Sequence, residues 1–163
     1  MAKGYKVIDR GWDQLMKRMR RYSLGVAAKV GIQGPKGAAA RGIQLSNAYL
    51  GSIHEFGTRD GKIPERPFMR ATFDANEGKY SREYKKIAAG FFEGGTVEGQ
   101  LMVLGEKYRA DIIRAVQSRK FQELSVEYRV RKIMKGKETI PLLDTGELIK
   151  QSITVEIERG DFL

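Results

Sequence analysis

The chain has no cysteine and a single histidine, His54. Without thiols there is no disulfide framework and no thiolate metal site. A lone imidazole also fails the zinc-protease helix pattern, which needs a second histidine four residues on, where this chain has Thr58. No apolar stretch approaches the roughly 20 residues that span a bilayer. The opening MAKGYKVIDRGWD is charged but lacks the apolar run of a signal peptide, so a soluble protein folding in a cytoplasm is expected. The glycine-rich GPKGAAARG at 34–42 lacks the G-x-x-x-x-G-K-[ST] order that sets a lysine and a hydroxyl on a nucleotide, and a flexible surface loop over 33–42 is expected instead. No nucleophile has a base in a recognisable arrangement, and no paired carboxylates fall in a catalytic motif.

What is present suits one domain spanning 1–163, because 41% hydrophobic residues can bury a modest core at this length. The formal net charge of +10 makes polyanions or acidic protein surfaces plausible neighbours. The excess sits in two places. Residues 1–36 carry nine Lys/Arg against Asp9 and Asp13, and residues 118–141 carry seven against Glu123, Glu127 and Glu138.

Along the chain, Asp9 can cap a helix with Trp12, Leu15, Met16 and Met19 at helical spacing and basic residues between them, expected as a short covering helix. From Leu24 to Ile32 the period falls to two, with Val26, Ala28, Val30 and Ile32 on one face of a half-buried strand. Leu45, Tyr49, Ile53 and Phe56 mark the seam of a helix of about three turns, ended by Gly57, where positive φ is expected. Asp60-Gly61 is a tight-turn dipeptide, Ile63-Pro64 an extended approach, and Pro67 suits the first turn of the next helix. That helix, about 24 residues long, carries Met69, Phe73, Asn76, Tyr80, Tyr84, Ile87 and Phe91 in register. Gly94-Gly95 ends it. Thr96 can then cap a second long helix striped by Val97, Leu101, Leu104, Tyr108, Ile112 and Val116, closing a helical hairpin.

Residues 117–139 show weak periodicity and many charges, which predicts a flexible connection with room for a short helix and a contact arm in an assembly. Asp144 or Thr145, followed by Gly146, can cap a further short helix, although Asp144-Thr145-Gly146 also resembles a fragment of phosphotransferase motifs. Ile153, Val155 and Ile157 alternate with polar residues in a last strand, whose natural partner is the strand from Leu24 to Ile32. The fold class is therefore α+β: a small, mostly antiparallel sheet covered by two long helices and shorter ones.

The fragments HEFGT and IPERPFMR within 53–70, followed by PLLDTGELIKQSIT, resemble the tail-completion or virion-morphogenesis family of tailed bacteriophages. The resemblance implies a structural protein of the virion and not an enzyme. It would be made in the host bacterial cytoplasm, form a homo-oligomeric ring at the head-tail interface (the neck), and dock to a tail-tube or head-connector protein. DNA would pass nearby without being specifically recognised, and no cofactor, metal or membrane is implied. Its motif residues here are His54, Glu55, Phe56, Gly57, Thr58, Pro64, Arg66, Pro67, Phe68, Asp144, Thr145 and Gly146. Arg129, Arg131 and Lys132 are candidate charged contacts, expected to be exposed and so dispensable for folding. The alternative from a different class is a basic nucleic-acid-binding module, distinguished by a steeply salt-dependent duplex affinity.

Overall fold

The structure, a computed structural model, describes residues 11–22, 25–38, 40–41, 45–118, 121, 123–137, 139 and 152–160. In chain order the elements are α1 (Trp12–Arg21), β1 (Val26–Ile32), α2 (Gly34–Ala38), β2 (Ala40–Arg41), β3 (Leu45–Ser46), α3 (Asn47–Phe56), α4 (Arg70–Glu93), α5 (Val97–Gln117), α6 (Val126–Met134) and β4 (Ile153–Arg159). The fold is α+β. The alternation in the first and last strands does what half-apolar strands must: β1 and β4 pair antiparallel, with Ala28 opposite Ile157, Val30 opposite Val155 and Ile32 opposite Ile153. A second, minimal pair joins β2 to β3.

Helix α5 lies on the sheet and α4 packs against α5. The close approach depends on Gly105, where a Cβ would fall inside van der Waals distance of Val155 and Val30. Around that crossing Phe68, Ile112, Val116 and Ile153 form the buried cluster, with Val30, Ile32, Leu50 and Met69 against it. The α4–α5 seam also holds a buried carboxylate, Asp111, which accepts from Lys79 Nζ at 2.7 Å and the Tyr80 hydroxyl at 2.8 Å and pairs with Arg114. Burial pushes the Asp111 carboxyl up, but these hydrogen bonds outweigh it and hold it below the ordinary carboxylate value.

Several expectations need correction. The proposed Asp9 cap lies outside the described residues, and α1 begins after Gly11. None of α1 is buried, and Trp12 is 64% exposed, so it does not cover the core. It is held instead near its C-terminal end, where Tyr22 meets the Phe91 ring edge-on and donates to Glu98 Oε2 at 2.6 Å. The expected loop at 33–42 contains α2 and β2. The Tyr49 and Phe56 side of α3 faces outward, and the buried stripe is Asn47, Gly51 and Glu55, because this side meets β1 and the start of α4. Phe73 and Tyr84 are likewise exposed on α4, whereas Tyr80 and Ile87 are buried. Thr96 occupies the cap position of α5 but makes no side-chain cap bond.

Candidate functional site

The stretch from His54 to Arg70 folds into a clamp between the end of α3 and the start of α4. Gly57 ends α3 at φ 72°, ψ −175°, a region essentially restricted to glycine, and its N–H bonds to the Ile53 carbonyl at 2.7 Å. The turn that follows is closed by its own residues. Thr58 N–H donates to the Ile63 carbonyl, and the Thr58 hydroxyl accepts from the Ile63 N–H, both at 2.9 Å. Gly61 has φ 71° and Asp60 accepts from the Lys62 N–H, as the Asp-Gly pair predicts. Arg66 N–H then reaches back to the His54 carbonyl at 2.7 Å, pulling the Pro64–Pro67 segment alongside α3.

Glu55 is the centre of the clamp. Its Oε2 accepts from the Met69 N–H and its Oε1 from the Arg70 N–H, each at 2.9 Å, so a buried carboxylate satisfies two free N–H groups at the start of α4. Arg70 Nε adds a 3.2 Å ion pair to Oε1, Arg70 Nη2 donates to the Glu55 carbonyl at 3.2 Å, and the guanidinium lies over the Phe56 ring at 4.8 Å. This explains why α4 begins at Arg70 and not in the turn of Pro67: Glu55 caps that position, and Phe68 must first turn into the core. Both Glu55 oxygens are thus engaged in holding the start of α4. Tyr108 on α5 closes the clamp by donating to the Met69 carbonyl at 2.8 Å, with its hydroxyl pushed up to about 12 by burial and then by the Glu55 and Asp74 carboxylates.

His54 points to the other side, into a polar cleft of about 530 Å³ lined also by Lys62, Arg66, Glu123, Ser125 and Tyr128. Its Nδ1 is buried without a hydrogen-bond partner. Burial first, and the Arg66 guanidinium second, hold the imidazole below its ordinary 6.5. The unfolded chain, keeping about 6.5, then binds more protons than the folded one between the two values, so stability rises with pH through that window and is lost below it. The urea midpoint is expected to be lower at about pH 5.5 than at about pH 7.5, and His54→Gln should remove that difference. The same pH dependence in both proteins would show that His54 takes no part in it.

The structure thus brings His54, Glu55, Phe56, Gly57, Thr58, Pro64, Arg66, Pro67 and Phe68 together, and Asp144, Thr145 and Gly146 lie outside the described residues. The charged candidates separate. Arg129 pairs with Glu123 at 2.7 Å, Arg131 lies over the Tyr128 ring, and Lys132 is only 6% exposed. The expectation that all three are exposed therefore fails at Lys132, which α6 turns inward. Arg70 and Tyr108 are the clamp residues that sequence reasoning missed. Arg70 stands in the quoted motif, but its partner is fifteen positions away, a separation with no periodic signal. Among the described residues no group of three or more His, Asp or Glu is placed to hold a metal ion, and no helix is long and apolar enough to cross a membrane. Comparison of the chain with family models, with curated proteins and with solved structures finds no match.

Proposed function

We propose that this chain is a structural protein of a tailed-bacteriophage virion that completes the tail and joins it to the head-connector complex by assembling into a ring. The observation that carries the assembly half is the exposure of large apolar side chains on separate elements: Trp12 on α1, Phe56 on α3, Phe92 on α4, and Val126, Val130, Ile133 and Met134 on α6. Scattered single residues of this kind are ordinary, but a cluster on one helix marks a surface that a partner covers. The phage half rests on the HEFGT, IPERPFMR and PLLDTGELIKQSIT fragments. The clamp supports it by giving the motif residues a purely mechanical role. They fix the angle between two helices, which suits a subunit that must repeat one geometry around a ring.

Light scattering on the protein alone and mixed with the tail-tube protein of the same phage tests this. The expected results are a closed oligomer, alone or on mixing, and stable association with the tube. A protein that stays monomeric in both, yet binds duplex DNA at physiological salt much more tightly than about 10⁻⁶ M, would instead be a nucleic-acid module. The charge variant suited to this work is Arg131→Glu with Lys135→Glu, both exposed, leaving buried Lys132 in place.

A further inference from the structure

Helix α6 is mounted with its apolar side outward. Ser125 caps it by accepting from the Tyr128 N–H, and its one buried residue is Lys132. Val126, Val130, Ile133 and Met134 fall at i, i+4, i+7 and i+8, a single stripe along its whole length, and all four are at least half exposed, Met134 at 83%. A helix that merely filled space on this body would bury that stripe and expose the lysine.

The same molecule carries an open apolar groove. A cleft of about 490 Å³ between α3 and α4 is floored by Ile32, Gly51 and Met69, and a second of about 310 Å³ adjoins it over the sheet, with Phe73 and Tyr108 lining both. The charges beside stripe and groove are of opposite sign. Arg131 and Lys135 flank and follow the stripe, whereas Asp74 lines the groove and Glu77 stands about one turn further along α4, neither of them in an ion pair among the described residues; the groove's one cation, Arg70, is already paired with Glu55 and Glu65.

We infer that the α6 stripe of one copy docks into the α3–α4 groove of a second copy. This deepens the ring reading above and rests on it. Among the described residues nothing covers either the stripe or the groove, and the pairing joins those of two different copies. It is heterologous, because ridge and groove are different surfaces, and its repetition closes a ring or propagates a filament. The arrangement follows the helix-in-groove mode of recognition, in which residues one helical face apart act as anchors.

Sedimentation velocity on the full chain tests the pairing. Ile133→Asp spoils the ridge at an exposed position, and Ala48→Arg fills the groove from an exposed position while setting like charge against Arg131 and Lys135. Circular dichroism and the thermal midpoint establish that each variant is folded. Each alone should weaken self-association by a factor of about ten or more. An equimolar mixture should recover a dimer and nothing larger, since only the ridge of the Ala48→Arg copy and the groove of the Ile133→Asp copy remain intact. Association unchanged in either variant, or no dimer in the mixture, overturns the pairing while leaving the ring reading in place. Ile133→Asp losing the tail-tube protein but keeping self-association would assign the stripe to that partner and also overturn it. A wild-type chain monomeric both alone and with tail-tube protein would remove the ring reading itself.

Discussion

Phe68→Ala is expected to lower the unfolding free energy by about 3–5 kcal/mol, the range for truncating a buried phenylalanine that leaves a cavity behind. Phe68 is 0% exposed and meets Ile112, Val116 and Ile153, so one side chain from the motif ties α5 and β4 to the start of α4. The cavity cannot collapse easily. Its backbone is held on both sides, by the Thr72 hydroxyl donating to the Phe68 carbonyl at 2.6 Å and by Glu55 gripping the next two N–H groups. At this chain length the loss corresponds to roughly 2–4 °C of Tm per kcal/mol, and it removes a large part of a typical stability of about 5–15 kcal/mol. Phe56→Ala is the control. Phe56 belongs to the same motif but is 63% exposed, so its truncation should cost no more than about 1 kcal/mol. Similar losses for the two in urea denaturation would show that Phe68 does not anchor the core.

Gly57→Val should be comparably severe, at about 3 kcal/mol or more, from two sources that act together. At φ 72° and ψ −175° a branched side chain is strained by its own backbone. In addition, the new Cβ would sit 2.8 Å from the Ile63 carbonyl oxygen and 2.9 Å from the Glu65 nitrogen. Both obstacles are main chain: the Ile63 carbonyl is held by the Thr58 N–H, and Glu65 lies between that bond and the Arg66 N–H bond to His54, so neither can rotate away. Relief requires opening the turn, which would also loosen the Arg66 to His54 bond and shift the angle between α3 and α4. The expected result is a lower denaturation midpoint and, on the ring assembly proposed above, weaker self-association even at temperatures where the variant is folded. An unchanged midpoint would mean that the backbone at Gly57 takes an ordinary conformation in solution.

Which parts of this fold were legible follows from the range of the forces involved. The β1 and β4 strands, the α4–α5 hairpin with its glycine break, the Gly57 helix end and the Asp60-Gly61 turn all depend on a residue and its near neighbours, and each was readable from spacing or φ preference. The stripe on α6 belongs in the same group. Val126, Val130, Ile133 and Met134 stand at plain helical spacing, yet the many charges between them made the segment read as a connection.

What lay beyond the sequence is which side of each helix is buried and which charges are paired. Tyr49 and Phe56 promised the buried seam of α3, but β1 and the start of α4 meet the Asn47–Gly51–Glu55 side, since glycine permits close approach and Glu55 finds free N–H groups there. Lys132 looked like a surface charge until α6 was placed. Glu55 and Arg70 were two letters at opposite ends of the quoted motif until the fold brought them together as a cap. Local periodicity says that a helix has two unlike faces. Only packing decides between them, because the free energy of burial belongs to the surface that a face meets and not to the face alone.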